Sequence, residues 1–312
     1  MPKVDVIIPF YNTPIPWVQA ALQSVFFQTY PDWRLVLIND GSCEAITQEA
    51  EALLESCRDR RVVYLKTPNQ GVSRARNAGI LRSDAPYIAF LDSDDLWDRR
   101  KLERQVAVLD RDSQFKLAHS NHKVIDSSGN PICYKLPSKT FLNELNTEQL
   151  FKEMLKRNFV VTSTCIIRRD AGVAVGLFDE AFDCMEDKDL WLRLIQYGGK
   201  LFYDEEVFAM HRMHRLGISK RIEKMMRARA QFIKKIDQMV QSSSCLDRAE
   251  WRRFKRKMSH HMFNEASEGY LDQGHYLKAF KYGLPLYSGF SLESNLLMLR
   301  SIYRFFIRIV PW

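Results

Sequence analysis

Residues 87–97 read Tyr87-Ile88-Ala89-Phe90-Leu91-Asp92-Ser93-Asp94-Asp95-Leu96-Trp97. The first five form a continuous apolar run of strand length, the pattern of a strand covered on both faces, as in a parallel sheet. The run stops at Asp92, Asp94 and Asp95. Side chains alternate along an extended chain, so Asp92 and Asp94 point the same way. Two carboxylates at the C-terminal end of a buried strand suit a hard cation such as Mg²⁺ or Mn²⁺. That edge of an open α/β sheet is also where ligands bind. The same residues taken alone would serve equally as a helix cap and a solvated acidic turn, so the flanking stretches must decide.

Upstream, Val4 to Pro9 reads as a first strand, ended by a proline that has no N–H for the ladder. It leaves Phe10, Tyr11 and Asn12 in the following loop. A helix over 16–28 carries Val18, Leu22, Val25 and Phe26 on one side. Arg34 to Ile38 is a second strand, running into Asn39-Asp40-Gly41-Ser42. A helix over 44–57 and a strand from Val62 to Leu65 follow. The loop at 69–77 holds Gly71 for a tight turn, and Ser73 is expected to cap the next helix. Strand–helix alternation at this spacing implies right-handed βαβ units and a mostly parallel sheet.

Tyr11, Asp40, the 69–77 loop and Asp92/Asp94 then share one rim. Tyr11 offers a flat face for a base. Asp40 can accept from a base N–H or a ribose hydroxyl. Arg74 and Arg76 bring cations near a helix N-terminus, which favours anions. Singly, each has a plain reading: a packed tyrosine, an Asp-Gly-Ser turn, solvated arginines. Their order along one rim points to a nucleotide with a diphosphate.

Downstream, 98–110 reads as a helix, Phe115 to Val124 as a strand, 127–131 as a turn and 132–145 as an irregular insertion. A short helix over 147–157 and a strand from Val160 to Ile167 come next. A second acidic group, Glu186-Asp187-Lys188-Asp189, opens a helix with Leu190, Trp191, Leu194 and Ile195 at helical spacing. Asp187 in the first turn is a candidate general base, and all three acids also suit the dipole. Gly198-Gly199 ends the helix. Short strands at 201–203 and 207–210 lead into His211-Arg212-Met213-His214.

Together these motifs resemble the family 2 glycosyltransferases. The matching pieces are Val6-Ile7-Ile8-Pro9-Phe10-Tyr11-Asn12, Asn39-Asp40-Gly41-Ser42, residues 69–79, Phe90 to Asp95, Gly176 to Glu180, Glu186 to Leu194 and the His211 to Ser219 run. The resemblance implies the GT-A nucleotide-sugar-binding fold over residues 1–219, with a basic helical C-terminal extension over 220–312. It implies inverting transfer of a hexose from a nucleotide-diphosphate sugar, UDP-linked in the first instance, to a hydroxyl of a glycan or lipid-linked acceptor. Mn²⁺ or Mg²⁺ would neutralise the leaving diphosphate. It assigns Pro9, Tyr11, Asn12, Asp40, Arg76, Asp92 and Ser93 to the donor, Asp94 and His214 to the metal, and Asp187 to the base. The family more often has tyrosine where this chain has His211.

Composition fits. The 312 residues carry a net charge of +8 with 46% hydrophobic and 27% charged residues, ordinary for a globular protein with an anionic ligand. Six scattered cysteines without a CxxC pair read as free thiols. The N-terminus lacks a signal-peptide pattern and no run reaches the roughly 20 apolar residues of a membrane span. A cytoplasmic protein is expected. In the last stretch, 295–312, Arg300, Arg304 and Arg308 form a basic stripe among apolar residues. Such a helix can lie peripherally on an anionic inner membrane face or pack on the domain. No nucleic-acid module accompanies the charge. The competing function is a non-catalytic nucleotide-sugar-binding scaffold of the same fold. A nucleotidyltransferase would need a Gly-rich basic loop where Pro9-Phe10-Tyr11-Asn12 stands.

Overall fold

The computed structural model describes residues 1–133, 136–214, 222–242 and 246–258. The chain divides into two compact units, Met1–Arg215 and Leu216–Trp312.

The first unit is built on a sheet of nine strands. In chain order they are β1 (Val4–Phe10), β2 (Trp33–Asp40), β3 (Val62–Thr67), β4 (Tyr87–Phe90), β5 (Leu96–Trp97), β6 (Phe115–Ile125), β7 (Pro131–Cys133), β8 (Ile166–Arg168) and β9 (Lys200–Arg212). Their spatial order is β3-β2-β1-β4-β8-β6-β9-β5, with β7 on β6. The helices are α1 (Ile15–Phe26), α2 (Glu44–Cys57), α3 (Val72–Leu81), α4 (Lys101–Arg111), α5 (Thr147–Lys156), α6 (Arg169–Ala174) and α7 (Glu186–Gln196). The α/β class is as the sequence implies. The strands β3, β2, β1 and β4 are all parallel. Beyond them the sheet is mixed: β8 enters antiparallel to both β4 and β6, while β9 runs parallel to β6. An antiparallel strand needs no βαβ crossover, so strand–helix alternation cannot foretell it.

Every residue of β1 is buried, as a strand at the centre of a doubly covered sheet must be, and its one charge, Asp5, is paired with Arg34 of β2. Pro9 does not end this strand but stays within it, opposite Ile38. In a parallel ladder its nitrogen faces the same way as that of Ile7, toward β4. The last β1–β4 partner is Ile7 with Phe90, so the missing donor falls where that ladder has stopped. Helix α3 lies very close to the sheet. A Cβ on Gly79 would sit 3.0 Å from Ile7 Cδ1 and 3.2 Å from Ile38 Cδ1. This close approach brings Arg76, one turn earlier, down to the strand ends.

Three local expectations change. Ser73 does not cap α3: the cap is Gly71 at φ 93°, and the Ser73 hydroxyl donates to Phe182 O at 3.2 Å. The β-branched run at 160–167 forms a 3-10 turn (Thr162–Thr164) and only then β8, because the hydroxyls of Ser163 and Thr164 are engaged locally and toward Asp95. The two short strands at 201–210 are one, β9, with shifts in register against β6 that absorb the irregular middle.

In the second unit, helix α8 (Ile222–Ser242) buries Ala228, Phe232, Ile236 and Val240. Residues 248–258 are helical, with Trp251 and Lys255 both donating to the Asp237 carboxylate. Among the described residues no helix is long and apolar enough to cross a membrane. The expected paired helices at 261–290 and the basic stripe at 295–312 lie outside the described residues.

Candidate active site

The rim at the C-terminal ends of β1, β2 and β4 is assembled by hydrogen bonds between loops. Tyr11 is 52% exposed, an apolar ring left in water just past the central strand. Asn12 takes a left-handed conformation at φ 51°. There its N–H donates to Ser42 Oγ at 2.9 Å, and its Oδ1 accepts from the Cys43 N–H at 2.8 Å. Asn12 thus ties the loop after β1 to the loop after β2. Thr13 and Ser93 share a hydroxyl hydrogen bond of 2.9 Å, tying the same loop to the acidic turn. Asp40 is buried and accepts from the backbone N–H groups of Gln70 (3.0 Å) and Gly71 (2.9 Å). Its carboxylate therefore shapes the turn before α3. Pro9 is buried in the strand, behind the rim and not on it.

The acidic turn folds on itself, Asp95 N donating to Asp92 O at 3.0 Å. Its three carboxylates part company. Asp95 is fully buried: it accepts from Ser163 Oγ at 2.6 Å and from the Arg212 N–H at 2.8 Å, and meets His211 Nδ1 at 3.2 Å. It is the peg that holds the end of β9 beneath the turn, and its hydrogen bond and then its negative charge push the His211 imidazole up to about 9 against burial. Asp94 faces outward and meets His214 Nε2 at 2.7 Å. Arg212 Nε holds the Asp94 carbonyl at 2.8 Å, and the His214 ring rests against Trp17 of α1 at 4.8 Å between centroids. Burial, with Asp95 and Asp92 nearby, pushes the Asp94 carboxyl up to about 6, against the pull of His214.

Asp92 turns toward α3. It accepts from Arg76 NH2 at 2.6 Å, while Arg76 NH1 donates to Glu186 Oε1 at 2.8 Å. Arg76 is only 3% exposed. Its pKa stays above the ordinary value: burial opposes the charge, and the two carboxylates outweigh it. Sequence alone suggests a cation waiting for phosphate. The structure instead uses Arg76 as a bridge joining the two acidic groups, which lie nearly a hundred residues apart in the chain. Asp94 and Asp187 each adjoin one end of this bridge.

The first turn of α7 likewise gives each acid its own task. Asp189 is buried and pairs with Arg193 one turn on, at 2.6 Å. Glu186 takes Arg76. Asp187 is left partly exposed, accepting from Asn158 Nδ2 at 2.8 Å and its neighbour Lys188 N–H at 2.6 Å. Burial and the adjacent Glu186 raise its carboxyl to about 6. A carboxylate oriented by neutral donors, with a pKa near neutrality, fits proton abstraction.

Among the described residues there is no ready-made group of three acidic, histidine or cysteine side chains that could hold a metal. Asp94 with His214 supplies two donors, one carboxylate oxygen and one imidazole nitrogen. That set fits Mn²⁺ or Mg²⁺ of the kind that takes one or two protein ligands and completes its shell with phosphate oxygens and water. Sequence reasoning missed Asp95, Ser163, Asn158 and Glu186 as site-building residues. Only Asp95, the third acid in the turn, and Glu186, immediately before Asp187, offered any signal. Ser163 and Asn158 offered none.

The family model described as glycosyl transferase family 2 matches residues 5–172. A putative teichuronic acid biosynthesis glycosyltransferase of Bacillus subtilis, TuaG, is 28% identical over 222 residues, 70% of this chain and 82% of that one. An uncharacterized glycosyltransferase of Rickettsia felis is 29% identical over 71% of this chain and 36% of its own length. The first curated relatives are longer, and this chain spans between 18% and 64% of their length. In structure it resembles TarS of S. aureus, solved with UDP, at TM-score 0.58 and 16% identity, over 97% of this chain and 80% of that one. It also resembles the mannosyltransferase PcManGT of Pyrobaculum calidifontis, solved with GDP-Man and Mn²⁺, at TM-score 0.61, 14% identity and the same coverage. The parallel β3-β2-β1-β4 half, the mixed half beside it and the acidic turn between them are thus the GT-A fold, and the chain belongs to glycosyl transferase family 2.

Proposed function

We propose that the protein is an inverting hexosyltransferase. It moves a sugar from a nucleotide-diphosphate donor, UDP-linked in the first instance, to a hydroxyl of a glycan or lipid-linked acceptor. The observation that supports this reading is the Asp92–Arg76–Glu186 bridge, in which the close neighbours of Asp94 and of Asp187 in the chain share one cation. The family match and the nucleotide ligands of TarS and PcManGT support the donor class.

In this reading Tyr11 stacks on the base, while Asn12, Asp40 and Ser93 set the loops that surround the nucleotide. Asp94 and His214 would hold the divalent ion, which would supply neutralisation of the charge on the departing diphosphate. Asp187, held by Asn158, takes the acceptor hydroxyl proton as that oxygen attacks the anomeric carbon opposite the leaving group. One displacement inverts the configuration, and no second carboxylate is needed as nucleophile. Arg76 keeps the two halves in register.

The test is a donor screen that reads nucleoside diphosphate release with Mn²⁺ or Mg²⁺, with and without lipid-linked acceptors. Metal-dependent release from one donor, lost in Asp94→Ala, is expected. Release that ignores both metal and Asp94 would overturn the metal site. No release from any donor would leave a sugar-nucleotide-binding scaffold as the better account.

A further inference from the structure

Beside Asp187 the first unit carries cations that neither folding nor the proposed donor site uses. His119 of β6 is fully buried, its ring 5.2 Å from Tyr203 and 5.8 Å from Phe159. Among the described residues neither of its ring nitrogens has a hydrogen-bond partner. The segment 136–143 runs along this face. Asn121 Nδ2 donates to Leu136 O at 2.8 Å, and Asn143 exchanges two bonds with the Tyr203 backbone, at 2.9 and 2.7 Å. Lys139 sits in that segment, half-buried. Arg157 ends α5 and directly precedes Asn158, which holds Asp187, and Phe159, which meets His119.

The two cations feel each other. Burial, then the charge of Arg157, lowers the Lys139 pKa. Lys139 in turn adds to the burial that depresses His119 and His122, to about 3 and about 4. Among the described residues neither Lys139 nor Arg157 has a salt bridge or side-chain hydrogen bond. Of the three acids on this stretch of β9, Glu205 accepts from Ser138 Oγ at 3.1 Å, while Asp204 and Glu206 pair with Arg104 and Arg100. A half-buried ammonium beside a second cation, without a counter-ion, costs free energy. A ligand anion would offset it.

We propose that Lys139 and Arg157 form a subsite for an anionic group on the acceptor, a carboxylate or a phosphate, next to the Asp187 base. The proposal rests on the transferase reading for the word acceptor, and the anion site itself rests on the two cations. The subsite gives the acceptor an orientation: its charge is held on the 136–143 side while its hydroxyl reaches Asp187. It also sets specificity, since a neutral acceptor leaves two cations unmatched.

Three octyl glycosides test this by titration calorimetry with UDP and Mn²⁺ present: octyl glucoside, octyl glucuronide and octyl glucoside 6-phosphate. At least one charged probe should bind roughly tenfold more tightly than the neutral one, the size of one hydrogen bond to a charged group. The gap should close in Lys139→Gln/Arg157→Gln and return in Lys139→Arg/Arg157→Lys. Which charged probe shows it identifies the anion. Donor hydrolysis without acceptor should be unchanged in the double variant. Equal binding of neutral and charged probes, or a gap that survives the double variant, overturns the subsite. Failure of every donor to react would strike the transferase reading alone, because anion binding is read separately.

Discussion

At the residue scale, the chemistry turns on how neighbouring acids are given different surroundings. Asp189 and Glu186 are matched by arginines, and among the described residues Asp187 accepts hydrogen bonds from neutral donors. Its raised pKa has two consequences of known sign. In the proposed role of base it would work ionised, so the transfer rate should climb as pH rises through about 6 and then level off. A rate that falls over that interval would contradict its role. For stability, a carboxyl held above its ordinary value binds more protons folded than unfolded, so this contribution weakens as pH rises from about 4 to about 6. Asp187→Asn should therefore melt at a higher temperature than the parent protein at pH 7, with a smaller difference at pH 4. It should also keep donor affinity while transfer drops by about 10²–10⁴. Donor titration, thermal melts and a transfer assay on one preparation check all three.

At the element scale, Asp95 and Arg76 are the fasteners. Asp95 joins the turn after β4 to the end of β9 and to the Ser163 turn before β8. Asp95→Ala strands a backbone N–H, a buried hydroxyl and a histidine that has lost its charge partner. It should cost about 3 kcal/mol in denaturant unfolding, and weaken Mn²⁺ binding because Arg212 and His214 follow on the same strand end. Arg76→Ala leaves Asp92 and Glu186 without their shared cation. A loss of about 3–5 kcal/mol is expected, as when one partner of a buried pair is removed. Wild-type stability in Arg76→Ala would remove it as the bridge.

At the scale of the whole molecule, binding should be visible as stabilisation. A ligand that binds only the folded form adds about 2.7 kcal/mol at a hundred times its dissociation constant. UDP with Mn²⁺ should raise Tm by several degrees. EDTA should remove that gain, and UDP or Mn²⁺ alone should give less. The β-strands that carry the rim were legible in the sequence because a strand covered on both faces is mostly apolar, as β4 is throughout and as β1 and β2 are apart from the Asp5–Arg34 pair and the polar end of β2. The acidic turn was legible because charge at the end of such a strand is conspicuous. The antiparallel entry of β8 was not, since strand direction depends on how the chain returns and leaves no mark in local composition. Nor was the work of Arg76: a guanidinium waiting for phosphate and one already shared by two carboxylates look alike in a sequence.

The amino-acid order by itself determined the strand–helix scaffold, the family and the identity of Tyr11, Asp40, Asp94 and Asp187 as candidates, because periodicity and charge placement are local properties of the chain. Tertiary structure alone decided which of the six acids in the two groups are fasteners and which face outward. It also left Lys139 and Arg157 without counter-ions among the described residues. Partners for buried charges come from distant segments, and only folding brings those segments within hydrogen-bond reach.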